Sequence, residues 1–222
     1  LIAITRFSVE GKKSIFGKVW HFIWEENSVW SWIVNILLAF LLIKFLIYPG
    51  IGLAMGTSHP IVAVISNSME HDGNFEQWWN SPACNFQCTQ AELYEHYNIT
   101  EQQFLHFNFR NGFNKGDIIF LRGMPAEKIE KGTVIVFNAG DAEPIIHRVV
   151  DKWSIAEANG NAEYHFITKG DYNQVSLLKE ADVSEKQILG IALFRIPYAG
   201  YIKIWFVDYV VKPIFTLLAH KQ

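Results

Sequence analysis

The chain has 222 residues, half of them hydrophobic, and a formal net charge of −3. That length allows one compact domain plus membrane segments, and the slight acidity argues against a nucleic-acid partner. Charge is unevenly spread: Arg6, Lys12, Lys13 and Lys18 fall before residue 29, whereas no Lys or Arg occurs from Phe45 to Phe109. From Pro49 to Ile202, 11 basic side chains stand against 18 acidic ones. Basic flanks tend to stay in the cytoplasm, so a cytoplasmic N-terminus and an external main domain are expected.

In chain order, Phe7 to Trp24 carries apolar residues at helical spacing around Gly11, Lys12 and Lys13. It reads either as a short helix lying on a membrane or as a frayed terminus. Val29 to Tyr48 follows as an apolar run of about 30 Å in helical form, matching the hydrocarbon thickness of a bilayer. Trp30 and Trp32 at one end and Tyr48 at the other fit an aromatic belt, and Lys44 lies about one turn from the outer end, where it can snorkel. The length of the run and the Pro49-Gly50 that follows argue against a cleaved signal peptide. Pro49 to Pro60 is Gly-rich and is expected to end the helix.

Ile61-Val62-Ala63-Val64-Ile65 is a β-branched run that reads as a buried strand, and it leads into Ser66-Asn67-Ser68-Met69. Serines two apart point to the same side of an extended chain. A hydroxyl at a strand end with a Met behind it can present a nucleophile; it can equally start a turn. Glu70 to Gly112 is an insertion with Trp78, Trp79, Cys84 and Cys88. Thr89-x-x-Glu92 and Thr100-x-x-Gln103 fit capping boxes, which predicts short helices over Gln90–Tyr97 and Glu101–Phe109. For the cysteines, on the external side, a disulfide is the first reading. Free thiols, or a zinc site with His96 and His106, stay open, though the spacing fits no standard zinc pattern.

Asp117–Leu121, Thr133–Phe137, Pro144–Trp153, Tyr164–Thr168 and Gln187–Phe194 read as strands bounded by Gly, Asn and Asp, so the body is expected to be mainly β. One of them carries Ile146-His147-Arg148-Val149, and another ends in Lys169-Gly170-Asp171-Tyr172-Asn173. Ile204 to Ala219 is apolar but holds Asp208, Lys212 and Pro213, so it is either a second membrane helix or an interfacial one.

Ser-Met, then His-Arg-Val, then Lys-Gly-Asp-x-Asn, in that order and behind a hydrophobic helix, resemble the signal peptidase I family. The resemblance is to the archaeal and endoplasmic-reticulum type, whose general base is His where the bacterial type has Lys. It covers roughly His59 to Ile202 and the preceding helix, and Ile196-Pro197-Tyr198-Ala199-Gly200-Tyr201 adds to it. It implies a β-rich peptidase domain in which Ser68 attacks the scissile carbonyl and His147 is the general base. Asp171 would orient the imidazole, and the backbone N–H of Ser68 with the hydroxyl of Ser66 would receive the oxyanion. The sequence departs from the family where a second acid usually follows the Gly-Asp turn: Gln174 to Leu178 holds none, and Asp182 is the candidate replacement. Where many relatives have a Pro shortly after the Met, this chain has Met69-Glu70-His71. His71 is a rival base.

The implied layout is a cytoplasmic segment 1–28, a transmembrane helix 29–48, an extracytoplasmic peptidase domain 49–202 with a helical insertion 70–112, and a membrane-associated or transmembrane helix 203–222. The implied activity is a cell-membrane serine endopeptidase that cleaves signal peptides from exported preproteins without metal or organic cofactor. Signal peptides, the lipid bilayer and the protein translocation machinery are its expected partners. Rival readings are a membrane-tethered binding module whose insertion 70–112 is the working surface, with Trp78, Trp79 and the cysteine pair as recognition elements, or an inactive family member.

Overall fold

A computed structural model describes residues 15–156, 160–206 and 209. The chain divides into two compact units, Leu1–Gly50 and Ile51–Gln222. In the first, α1 (Ile15–Trp24) and α2 (Val29–Leu42) form a hairpin. Ser28 caps α2 by accepting the Ser31 N–H. Ser31 Oγ donates to Phe22 O at 2.6 Å and Asn35 Nδ2 to Ile23 O at 2.9 Å. Two polar side chains on an apolar helix thus satisfy carbonyls at the open end of α1.

The apolar helix does not stop at Pro49. It runs through a π-helical turn, Ile43–Ile47, into α3 (Tyr48–Met55), giving 27 residues from Val29 to Met55, long and apolar enough to cross a membrane. Proline lacks an N–H and its ring crowds the carbonyl four residues back. The wider turn just before it, where the Tyr48 N–H reaches back to Ile43 O, accommodates the ring without ending the helix. The stop comes at Gly56, whose φ of 66° lets its N–H donate to Leu53 O while the Thr57 N–H donates to Gly52 O.

The first strand of the second unit is β1 (Ile61–Ala63). The insertion follows: α4 (Phe75–Trp79), a two-stranded ribbon of β2 (Pro82–Ala83) and β3 (Cys88–Thr89), α5 (Gln90–His96) and α6 (Glu101–Leu105). Then come β4 (Ile118–Arg122), β5 (Val134–Phe137), β6 (Ile145–Ala156), β7 (Ala162–Lys169), β8 (Val183–Ser184), β9 (Ile188–Ile196) and α7 (Tyr201–Phe206). Beyond α7, the segment expected to return to the membrane lies outside the described residues, as does the start of the Phe7–Trp24 segment. One antiparallel sheet takes seven strands in the order β1-β4-β9-β5-β6-β7-β8, so the fold is mainly β.

Alternation along β5 and β6 sends side chains to two apolar layers. Val134, Val136 and Ile146 pack with Met69, Phe113, Ile119 and Leu121; Ile135, Phe137, Ile145 and Val149 pack with Phe166, Val183 and Ile191. A third cluster joins the insertion to β6: Trp78, Trp79, Tyr94, Ile99 and Phe104 pack with Val150. Trp78 and Trp79 are 1% and 5% exposed, so they are core residues rather than the recognition surface of the rival reading. The capping boxes at Thr89 and Thr100 are made, and Asn74 makes a third with Gln77. Helix α6 ends at Leu105 instead of Phe109; Phe109 itself has a non-helical φ of 57°, and the Asn108 and Phe109 carbonyls accept from the Arg148 guanidinium.

Candidate active site

The β1 strand ends at Ala63, earlier than the apolar run suggests, so Ser68 lies in a turn closed by Glu70 N–H to Asn67 O. Several bonds fix that turn. The Ser68 carbonyl accepts the Tyr172 N–H at 2.9 Å, and the Met69 carbonyl accepts the Phe113 N–H at 3.0 Å. Met69, 1% exposed, packs behind the serine and its sulfur accepts the Asp171 N–H. The nucleophile candidate is thereby stitched to the loop that follows β7. Ser66 Oγ lies 3.1 Å from Ser68 Oγ despite the bend between them.

His147 projects from β6, opposite Ile135 of β5, and is almost fully buried. Its Nε2 is 2.8 Å from Ser68 Oγ. Its Nδ1 is bonded to Glu180 Oε1. A carboxylate on Nδ1 holds the proton there, which leaves the Nε2 lone pair facing the serine hydroxyl, as a general base requires. Glu180 is itself buried and held: Oε2 accepts the Leu177 N–H and Oε1 accepts the Thr168 hydroxyl. Gly170 closes the other side. A Cβ there would stand 2.7 Å from His147 Nε2, from Ser68 O and from Asn173 Nδ2, so only glycine admits the imidazole and the serine turn this close.

Asp171, expected to orient the imidazole, does not touch it. Its carboxylate accepts from Arg148 Nε at 2.9 Å and Nη2 at 2.6 Å, from Tyr94 OH at 2.7 Å, and pairs with His71 Nε2 at 3.0 Å. The reason is strand alternation: His147 and Arg148 are neighbours on β6 and point to opposite faces, so an acid that serves Arg148 cannot reach His147. Burial alone would raise the Asp171 pKa, but the Arg148 charge, with hydrogen bonds from His71 and Arg148, holds it well below the usual carboxylate range. Arg148 Nη1 also donates to Asn108 O and Gly132 O, and Nη2 to Phe109 O. Lys169 completes this buried cluster, its Nζ donating to Gln90 Oε1, Gly170 O and Asp171 O. Burial pushes its pKa down to about 7, with Asp171 opposing.

Asp182 is also displaced from the proposed role: it bonds His165 Nδ1 of β7 at 2.6 Å and its side chain is largely exposed. His71, the rival base, is committed to Asp171 and stacks on Trp78 with ring centroids 3.6 Å apart. The acid the sequence reading passed over is Glu180. A signal existed: Glu180 precedes Asp182 as the first acid after Asp171, and Glu has one more methylene of reach. Cys84 and Cys88 form a disulfide with Cα atoms 5.3 Å apart, which leaves neither sulfur for zinc.

No family model matches the chain. Among curated proteins, it is 34% identical over 103 residues to signal peptidase complex catalytic subunit SEC11C of Homo sapiens, covering 44% of this chain and 52% of that protein. Signal peptidase complex catalytic subunit SEC11 of Colletotrichum graminicola is 34% identical over 104 residues, covering 44% and 58%. The SEC11 subunit of Pyricularia oryzae is 27% identical over 167 residues, covering 72% and 71%. The chain spans about half the length of the first of these relatives. With this likeness added to the Ser-Met, His-Arg-Val and Lys-Gly-Asp motifs, the chain is a homologue of these signal peptidase complex catalytic subunits.

Proposed function

We propose that the chain is a membrane-anchored serine endopeptidase that removes signal peptides from translocated preproteins. The observation that carries this reading is the line Ser68 Oγ, His147 Nε2, His147 Nδ1, Glu180 Oε1. His147 takes the Ser68 proton as Oγ attacks the scissile carbonyl carbon. The Ser68 N–H and the Ser66 hydroxyl receive the charge that develops on the carbonyl oxygen. His147 then gives its proton to the leaving amine, and the C–N bond breaks to leave an acyl ester on Ser68. Water enters, loses a proton to His147 and attacks the ester, which frees the signal peptide's new carboxylate and returns the proton to Ser68. Glu180 stabilises the imidazolium through both halves of the reaction; it is a positioning residue. Asp171 anchors the loop that carries Gly170 beside the imidazole.

The long apolar helix would be the anchor, with the basic segment before it in the cytoplasm and the domain after it outside, where cleavage sites emerge after translocation. Exposed Phe194, Ile196, Tyr198, Tyr201 and Ile202 at the end of β9 and the start of α7 would suit the bilayer surface. The relatives' names describe catalytic subunits of a complex, and further subunits are proposed here on that basis. The test is cleavage of a model preprotein by detergent-solubilised protein, wild type beside Ser68→Ala. Cleavage at the signal-peptide junction by the wild type alone is expected. Equal cleavage by Ser68→Ala, or none by either, overturns the reading.

A further inference from the structure

Beside the candidate active site lies a groove of about 600 Å³ that the mechanism does not use. One wall is the loop after Asp171, with Tyr172, Asn173, Val175 and Leu177; the other is the disulfide loop of the insertion, ending in Phe86. The walls are tied together: Cys84 N–H donates to Gln174 O at 2.8 Å, Gln174 Nε2 to Pro82 O at 3.2 Å, and Phe86 N–H to Gln174 Oε1 at 3.3 Å. Cys84, Asn85 and Phe86 all have φ between 51° and 68°, a left-handed run that L-residues rarely adopt. The Cys84–Cys88 bond closes that run, and its outcome is a Phe86 ring that is 81% exposed at the groove. Among the described residues no Lys or Arg lines the groove; its charged lining residue is Asp72, beside the Tyr172 hydroxyl, whose pKa Asp72 raises.

The chemistry decides which part of a substrate meets this surface. The leaving amine must take its proton from His147 Nε2, so the chain after the cut departs on the side where Nε2 faces out. Gly170 and Asn173 flank Nε2, since a Cβ on Gly170 would be 2.7 Å from both His147 Nε2 and Asn173 Nδ2. Asn173 and Tyr172 begin the groove, and the Tyr172 N–H holds the Ser68 carbonyl. The imidazole and the near end of the groove are therefore neighbours.

We infer that this groove binds the substrate polypeptide just after the scissile bond, choosing an apolar side chain there and rejecting an acidic one. The apolar side chain packs on Phe86, Val175 and Leu177, and Asp72 repels a carboxylate. The inference rests on the peptidase reading above. It makes the insertion a specificity element for the mature end of the substrate, through its disulfide loop and not through its tryptophans.

The test is internal competition between preproteins identical up to the cut, with Leu or Asp at the second, third or fourth residue after it. A ratio of kcat/KM values from competition does not depend on how much enzyme is folded, so it is readable in any variant that retains activity. At one or more of these positions wild type should prefer Leu by about tenfold or more. Phe86→Ser and Val175→Ser should each bring that preference below about threefold, and Asp72→Asn should narrow it by speeding the Asp substrate. A wild-type ratio near one at all three positions, or an unchanged ratio in both Phe86→Ser and Val175→Ser, overturns the groove while leaving the peptidase reading intact. Wild type that cleaves neither substrate, like Ser68→Ala, overturns both.

Discussion

His147 and Arg148 are consecutive residues on one strand, and each holds a carboxylate, yet the two clusters are built for different ends. On one face, His147 joins a half-buried Ser68 to Glu180 in a chain with one end open to a substrate. On the other, Arg148 and Asp171 are fully buried, and aromatic and basic side chains close around them, among them Tyr94, His71, Trp78, Phe104 and Lys169. A buried ion pair with all its partners present holds a structure in one arrangement, and breaking it leaves a charge with nowhere to go. A serine, an imidazole and one carboxylate, by contrast, are arranged so that a proton can move. The lesson is that on a β-strand one-residue spacing separates chemistry from anchorage, so the acid nearest in sequence to the family motif is not the acid nearest to the imidazole.

The comparison breaks most cleanly on the working face. Ser68→Ala and His147→Ala should each lower kcat for preprotein cleavage by about 10³-fold or more, with the double variant no worse than either single, because the two act as a unit. The Ser68→Ala denaturation midpoint should stay near that of wild type. On the anchoring face, Asp171→Ala leaves Arg148 charged and buried, and should cost about 3–5 kcal/mol of stability by chemical denaturation. Activity should then fall with the folded fraction. Gly170→Ala should lower kcat by about 10-fold or more with a smaller change in stability, because its methyl group presses on His147 Nε2 and the Ser68 carbonyl.

Much of this was readable from the sequence. Five strands of the sheet fall within a few residues of their β-branched runs, since alternation and Gly-Asp or Gly-Thr turns are local signals. Capping boxes found α5 and α6, and the same pattern at Asn74-x-x-Gln77 would have found α4. What the sequence concealed depends on tertiary reach. The helix runs past Pro49 because a π-helical turn ahead of it makes room for the ring, which no propensity scale describes. Glu180 arrives at His147 through a loop of irregular path, and the choice between it and Asp182 is made by which one β7 and β8 turn outward to His165. The opposite-face rule for His147 and Arg148, however, was legible, and it argues for two separate acids.

The smallest expected effects sharpen the same contrast. Asp182→Asn should change cleavage by less than about twofold, since its side chain is largely exposed and bonded to His165 rather than His147. Lys169 gives a pH signature of the anchoring face. Its folded-state pKa is lowered to about 7 by burial, against about 10.4 in an unfolded chain. Between those values the unfolded state binds more protons, so this residue's contribution raises stability as pH climbs from about 7 toward about 9. Denaturation midpoints of wild type should show that increment, and Lys169→Met should lack it.

The central claim is that Glu180 serves the imidazole while Asp171 serves the architecture. The direct test measures cleavage rate and denaturation midpoint on the same solubilised preparations of Glu180→Gln and Asp171→Asn. Glu180→Gln should lose about 10²-fold or more in kcat with its midpoint little changed. Asp171→Asn should lose stability first and keep the wild-type pH profile in its folded fraction. If Asp171→Asn is instead as stable as wild type but inactive, and Glu180→Gln cleaves normally, the two acids have been assigned the wrong way round.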